Sequence, residues 1–190
     1  MNGARGEERI RAFLALPLSE EQRAELDRKV APLRVLGEPV RWVPAENLHV
    51  TLRFFGDIGN EGRARIEKRV RQAASGTAPF LFRLGAAGAF PNLRGARVLW
   101  VGVSEGEEAL VSLAARVEDS IEGLGFPREK RFHAHITVGR TKGALSPRFR
   151  DRFAALPIEP IEARAGSFLL MKSTLDPRGA RYEVLHTFEF

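Results

Sequence analysis

The sequence predicts a mixed helix–strand fold made of two structurally related halves that face each other across one cleft. Three observations predict it. Short apolar segments of strand character alternate with helical segments along the chain, the order of these segments restarts near residue 97, and the pattern His-apolar-Thr-apolar occurs twice, at His49-Val50-Thr51-Leu52 and at His135-Ile136-Thr137-Val138.

Taken in order, residues 11–16 read as a strand, and Ser19 then caps a helix whose apolar positions Ala24, Leu26, Val30 and Leu33 recur at near-helical spacing. Gly37 and Pro39 end it. Strands follow at 40–43 and 48–55, then a basic helix over 61–74 that stops near Gly76. Residues 80–84 and 98–103 are the next strands, 107–124 a helix, and 133–138 a strand bounded by Gly139. A helix over 147–155 and strands at 168–172 and 182–190 complete the chain.

The restart has a register. Arg11 precedes His49 by 38 residues, Arg97 precedes His135 by the same 38, and both pairs are offset by 86. The same shift carries Ser19 to Glu105, where the second long helix begins, and Asn60 to Ser146, where the second short one begins. The expectation is one domain over 1–190 with an internal repeat, its halves roughly 11–96 and 97–190.

Composition bounds the chemistry. At 190 residues and 44% hydrophobic content the chain can bury one good core or two small lobes. Its 30 Lys plus Arg against 24 Asp plus Glu leave a net +6, which favours a polyanionic partner. It contains no Cys, which excludes disulfides, thiolate-bound metal and thiol redox chemistry and fits an intracellular address. The apolar stretch 12–18 contains Pro17 and runs into Ser19-Glu20-Glu21, a poor signal segment and too short to cross a bilayer. A cytoplasmic monomer without membrane contact is expected.

In a strand, residues i and i+2 share a face, so each motif presents His and Thr together while Val50 and Leu52, or Ile136 and Val138, turn to the core. Two such strands across a pseudo-twofold place two imidazoles and two hydroxyls around one cleft. One imidazole can take a proton from an attacking oxygen, the other can protonate a leaving oxygen, and the hydroxyls can donate to phosphate oxygens. This chemistry needs no metal and no cofactor. The residues leave open which imidazole is acid and which is base.

At this point the chain resembles the 2H phosphoesterases, and among them the bacterial and archaeal RNA 2′,3′-cyclic phosphodiesterases, also called 2′-5′ RNA ligases. Beyond the two motifs, the resemblance rests on Arg11-Ala12-Phe13, on Glu46-Asn47-Leu48 before the first motif and Phe54-Phe55-Gly56 after it, on Phe90-Pro91, on Val98-Leu99-Trp100-Val101-Gly102 and on Leu170-Met171-Lys172-Ser173-Thr174-Leu175. It implies a bilobal α+β fold, two pseudo-symmetric lobes each with an antiparallel sheet and helices, and an active-site cleft between them. It also implies His49 as proton donor, His135 as proton acceptor, Thr51 and Thr137 on the phosphate, and Arg140 as a substrate-binding arginine, whose guanidinium offers a bidentate fit to phosphate oxygens. Ala134 stands where many members carry Pro, and it keeps a strand amide that Pro would remove. The implied reaction opens RNA 2′,3′-cyclic phosphate ends, tRNA fragments among them, to 2′-phosphomonoesters. It also implies reversible 2′-5′ ligation, in which a 5′-hydroxyl takes the place of water at such an end.

Other residues carry blander expectations. His133 shares its expected strand face with His135 and reads as a polar rim residue; His186 lacks a matching Thr and reads as structural or exposed. Phe13, Phe55 and Trp42 could stack on a base but read as core packing. The helix with Arg63, Arg65, Lys68, Arg69 and Arg71 is broken up by Glu61 and Glu67 and reads as a solvated face. Arg178 and Arg181 are candidates to approach the cleft. Two other functions fit the same residues, namely cleavage of a small nucleotide or ADP-ribose cyclic phosphate, and a non-catalytic RNA-end binding module. The second would have no need of two poised imidazoles.

Overall fold

A computed structural model describes residues 9–129, 131–158, 160–176 and 179–190. The elements are β1 (Ile10–Pro17), α1 (Glu20–Arg34), β2 (Val40–Trp42), a short 3-10 turn (Ala45–Asn47), β3 (His49–Ile58), α2 (Asn60–Ser75), β4 (Phe80–Phe90), β5 (Val98–Glu105), α3 (Glu107–Ser120), β6 (His135–Thr141), α4 (Pro147–Ala154), β7 (Ile161–Ala165), β8 (Ser167–Asp176) and β9 (Gly179–Glu189). Every strand pairing among them is antiparallel, and the fold is α+β.

The strands follow the order β7-β4-β5-β6-β3-β1-β8-β9, with β2 added on β6. One register pair, Val50 with Ile136, joins β3 to β6 at the middle of that path. To one side lie β1, β8 and β9, and to the other β5, β4 and β7. Thus β4 joins the strands that follow residue 97, while β8 joins β1. The helices are exchanged in the same way, for α1 packs against β7 and α4, whereas α3 packs against β3 and α2.

Burial explains the pattern. Leu14, Leu16, Val50, Leu52, Leu99, Val101, Ile136 and Val138 are buried in the strands next to this junction, while His49, Thr51, His135 and Thr137, which alternate with them, are only partly covered. Helix α1 begins as expected at Ser19, whose hydroxyl accepts from the Gln22 amide while the Gln22 side chain accepts from the Ser19 amide.

Several boundaries differ from the sequence reading. Helix α3 stops at Ser120 rather than 124, just ahead of Gly123 and Gly125, which take φ of 79° and 87°. Strand β4 runs to Phe90 rather than 84, carried on by its pairing with β5, although Gly85-Ala86-Ala87-Gly88 lacks the branched side chains that mark a strand in sequence. The glycine at 88 has a packing reason: a Cβ there would lie 2.3 Å from ring atoms of Trp100 on β5. Strand β7 was not foreseen, since two of its three buried positions are the small Ala163 and Ala165. Strand β6 begins at His135, so His133 lies just before it rather than within it.

Candidate active site

Both motif histidines are held by backbone two residues upstream. His49 Nδ1 lies 2.7 Å from the Asn47 carbonyl oxygen, and His135 Nδ1 lies 2.7 Å from that of His133. A carbonyl only accepts, so Nδ1 carries the hydrogen in each ring and Nε2 is left as the working nitrogen. In His49 that Nε2 is 3.0 Å from Thr51 Oγ1, and with Nδ1 protonated the hydroxyl is the donor. Asn47 is anchored in turn by its own side chain, whose Nδ2 donates to the Ala180 carbonyl of β9 at 2.7 Å.

Two cavities meet at these strands. One, of about 460 Å³, is lined by His49, Thr51, Thr137, Arg140, Arg11 and Tyr182 among others; the second, of about 440 Å³, is lined by His135, His133 and several aromatic rings. Thr51 and Phe54 line both. The residues of the two motifs and Arg140 therefore gather around one junction, with His49 on one side and His135 on the other.

A strand that simply alternated would turn Arg140, five residues after His135, away from the cleft. It does not, because β6 carries an extra residue there: Leu99 pairs with Gly139 and the neighbouring Trp100 with Thr137, which leaves Val138 unmatched. The bulge keeps Val138 and Gly139 buried and returns Arg140 to the face of His135 and Thr137. Strand β3 has the equivalent irregularity at Leu52, between the pairs Leu14 with Arg53 and Ala15 with Thr51. It brings Phe54, five residues after His49, to the cleft and buries Arg53, whose guanidinium meets Glu118 at 3.1 Å and Glu129 at 2.7 Å.

The electrostatics are set by burial and positive charge. Burial, with His135 and Arg140 nearby, pushes the His49 pKa down from 6.5 to about 4 against the hold of the Asn47 carbonyl, and burial also lowers that of His135, assisted by His133 and Arg140. Tyr182 is moved upward by burial, against the pull of Arg140 and Arg11. With two guanidinium groups and two imidazoles around it, the junction suits an anion. Among the described residues, no group of three or more His, Asp or Glu side chains converges as a metal cage.

The aromatic residues divide. Phe13 is buried, as core packing would have it, yet its ring faces His49 at 5.0 Å and forms a wall of the first cavity. Phe55 packs on Phe126 and Trp42 on Phe149, both away from the cavities. Several cavity residues were missed in the sequence, Tyr182, Phe54 and Arg11 among them. Tyr182 stands edge-on to His49 at 5.4 Å, Phe54 carries the Arg11 guanidinium 4.4 Å above its ring, and Arg11 itself lines the first cavity. The repeat held a signal for Phe54, because an offset of 86 maps it onto Arg140.

The remaining candidates lie elsewhere. His133 is exposed and lines the second cavity, while His186 packs on Phe188 and meets Arg71 at 3.3 Å. On α2, Arg63 pairs with Glu67 and Arg65 with Glu61, as expected of a solvated face. Arg181 pairs with Asp176 at 3.4 Å and lines neither cavity; Arg178 lies outside the described residues. No described helix is long and apolar enough to cross a membrane.

Comparison with known proteins identifies the family and the fold. The family model of the 2′-5′ RNA ligase superfamily matches residues 21–177. A protein of Methanothermobacter thermautotrophicus named RNA 2′,3′-cyclic phosphodiesterase is 38% identical over 95% of this chain and 98% of its own. One of the same name from Archaeoglobus fulgidus is 37% identical over 95% of this chain and all of its own. Among solved structures, E. coli LigT in complex with 3′-AMP superposes with a TM-score of 0.77 at 26% identity, covering 96% of this chain and 98% of that one. The Thermus thermophilus protein TT0787 reaches 0.75 at 29% identity over 95% and 97% of the two chains. With the family model spanning most of the sequence and relatives aligned nearly end to end, this chain belongs to the 2′-5′ RNA ligase superfamily.

Proposed function

We propose that this chain hydrolyses RNA 2′,3′-cyclic phosphate ends to 2′-phosphomonoesters by acid–base catalysis between His49 and His135. The observation that carries the reading is the matched pair of Nδ1–carbonyl hydrogen bonds, which leaves an Nε2 on either side of a junction that also holds Thr51, Thr137 and Arg140. The names of the relatives point to the same substrate.

In this reading the cyclic phosphate sits at the junction. Arg140 and the Thr51 and Thr137 hydroxyls bind its non-bridging oxygens and stabilise the charge that grows on them in the transition state. His135 Nε2 removes the proton from water as its oxygen attacks phosphorus, and His49 Nε2 protonates O3′ as the P–O3′ bond breaks. Hydrolysis leaves the phosphate on O2′, and ligation to a 5′-hydroxyl uses the same two groups. Neither direction requires a metal or a cofactor, and the protein acts as a cytoplasmic monomer.

The test is turnover of a cyclic-phosphate-ended oligonucleotide beside that of a cyclic mononucleotide, each over a range of salt. Release of 2′-phosphate ends is expected, with the oligonucleotide KM rising more steeply with salt because several counterions are released on binding. Equal salt slopes would move the substrate to small cyclic nucleotides, and no turnover of either would refute the reading.

A further inference from the structure

The second cavity holds more than hydrolysis requires. Water attacking beside His135 needs no apolar cavity, yet Phe54, Phe90, Phe132 and His133 line this open one, with the exposed Glu129 and Arg131. Phe90 stands edge-on to His133 at 5.3 Å and to His135 at 5.0 Å, and Trp100 backs the group 4.9 Å from His133. Gly88 and Gly102 are what allow the indole to lie there, since a Cβ on either would come within 2.9 Å of it. Phe54, 39% exposed, is also apolar surface left open to solvent.

The position of this cavity is as telling as its lining. A phosphate reacting at the shared Thr51 has its leaving oxygen towards His49 and its attacking oxygen towards His135, so whatever carries the attacking oxygen extends into the second cavity. Aromatic rings with charged groups at the edge are the chemistry that receives a nucleobase without regard to its identity. At about 440 Å³ the cavity is within the range of small-molecule sites.

We propose that the cavity formed by Phe90, Phe132, His133 and Phe54 is an acceptor subsite, which stacks the base of a second nucleoside so that its 5′-hydroxyl replaces water beside His135. This inference rests on the two-histidine reading above. The transfer balances without a further reactant: the O5′–H proton passes to His135 Nε2, the O5′–P bond forms, the P–O3′ bond breaks, and O3′ takes the proton of His49. The product is a 2′-5′ diester with a free 3′-hydroxyl. Occupancy of this cavity then sets the balance between ligation and hydrolysis.

The experiment is a partition assay. The protein is given cytidine 2′,3′-cyclic phosphate with excess adenosine, and the ratio of 2′-5′ dinucleotide to cytidine 2′-phosphate is measured for the parent, Phe90→Leu and His133→Ala. The ratio is a property of the folded molecules alone, so partial loss of folding does not disturb it. We expect it to fall about tenfold or more in Phe90→Leu, as for loss of one stacked base, and by a smaller factor in the exposed His133→Ala. Two results overturn the subsite: hydrolysis and transfer falling together in both variants, which would mean that the cavity serves the cyclic nucleotide or merely supports His135, and a parent that hydrolyses but never transfers to adenosine. A parent that turns over neither this donor nor a cyclic-phosphate-ended oligonucleotide refutes the two-histidine reading instead.

Discussion

His49 Nδ1 lies 2.7 Å from the carbonyl oxygen of Asn47, two residues back along its own chain. His135 repeats the relationship with His133 at the same distance. A ring held in this way has one tautomer when neutral, and its Nε2 is aimed by backbone rather than by a mobile side chain. The main-chain hold also explains why Asn47 and His133, equivalent in the repeat, need not be the same residue type.

Substituting either imidazole should therefore remove turnover without removing the fold. His49→Ala and His135→Ala are each expected to lower kcat by on the order of a hundred- to ten-thousand-fold. Circular dichroism should stay as in the parent, because both rings are only partly buried and the strand cores on either side are apolar. Activity near that of the parent in either variant would exclude the mechanism.

Arg140 acts on both histidines and, in our reading, on the phosphate. Its charge is among the causes that lower His49 and His135, so Arg140→Met should move both imidazole titrations upward, followed by NMR. Inhibition by inorganic phosphate should weaken roughly tenfold or more, the effect of losing a charged hydrogen-bonding partner. Arg140→Lys keeps the charge but not the fork, and should leave the titrations near the parent while phosphate binding still weakens. A variant that moves neither quantity would place Arg140 outside the site.

How much of this was legible follows from what each residue depends on. The two motifs stood out because strand alternation is local: His and Thr on one face and apolar residues on the other need only a period of two. The resemblance named Arg140, but spacing alone would have turned it away, since its orientation depends on an unmatched Val138 that only pairing with β5 reveals. The bulge at Leu52 hid Phe54 and Arg53 for the same reason. Tyr182 reaches His49 from β9, more than a hundred residues distant in sequence, and nothing in its own segment announces that contact. The crossing of β4 and β8 between the two groups of strands is likewise a property of topology that no periodicity encodes.

Arg53 offers a test of stability. Its side chain is 4% exposed and meets Glu118, itself 11% exposed, and Glu129, while its Nη2 donates to the Pro127 carbonyl at 2.6 Å. It thus ties β3 to α3 and to the segment that carries the wall of the second cavity. Arg53→Met leaves Glu118 buried without its partner and should cost about 3 kcal/mol or more, read from the urea midpoint at constant slope. Adding Glu118→Gln should recover part of that loss, and a double-mutant cycle with no coupling would show that the pair does not act as one.

The depressed histidines make two connected predictions about pH. For stability, a group whose folded pKa is below its unfolded value contributes fully above the unfolded value, and the contribution is lost as pH falls. With His49 lowered from 6.5 to about 4, the unfolded chain binds the extra proton between those values, so this share of stability should decline across that window. The loss is on the order of 2 kcal/mol for a partly covered ring. His49→Asn should lack it, and the difference in urea midpoint between parent and variant should change between pH 6.5 and 4; identical slopes would count against the buried neutral ring. For activity, both imidazoles are neutral in the free protein near pH 7, so the acid must gain its proton as the anionic phosphate arrives and favours imidazolium. The profile of kcat/KM reports the free protein and should be a bell peaking on the acidic side of the ordinary histidine value of about 6.5. The kcat profile reports the complex and should lie at higher pH, with both limbs belonging to the coupled pair. A rate that only rises from about pH 5 to 9 would be incompatible with an imidazolium acid at this site.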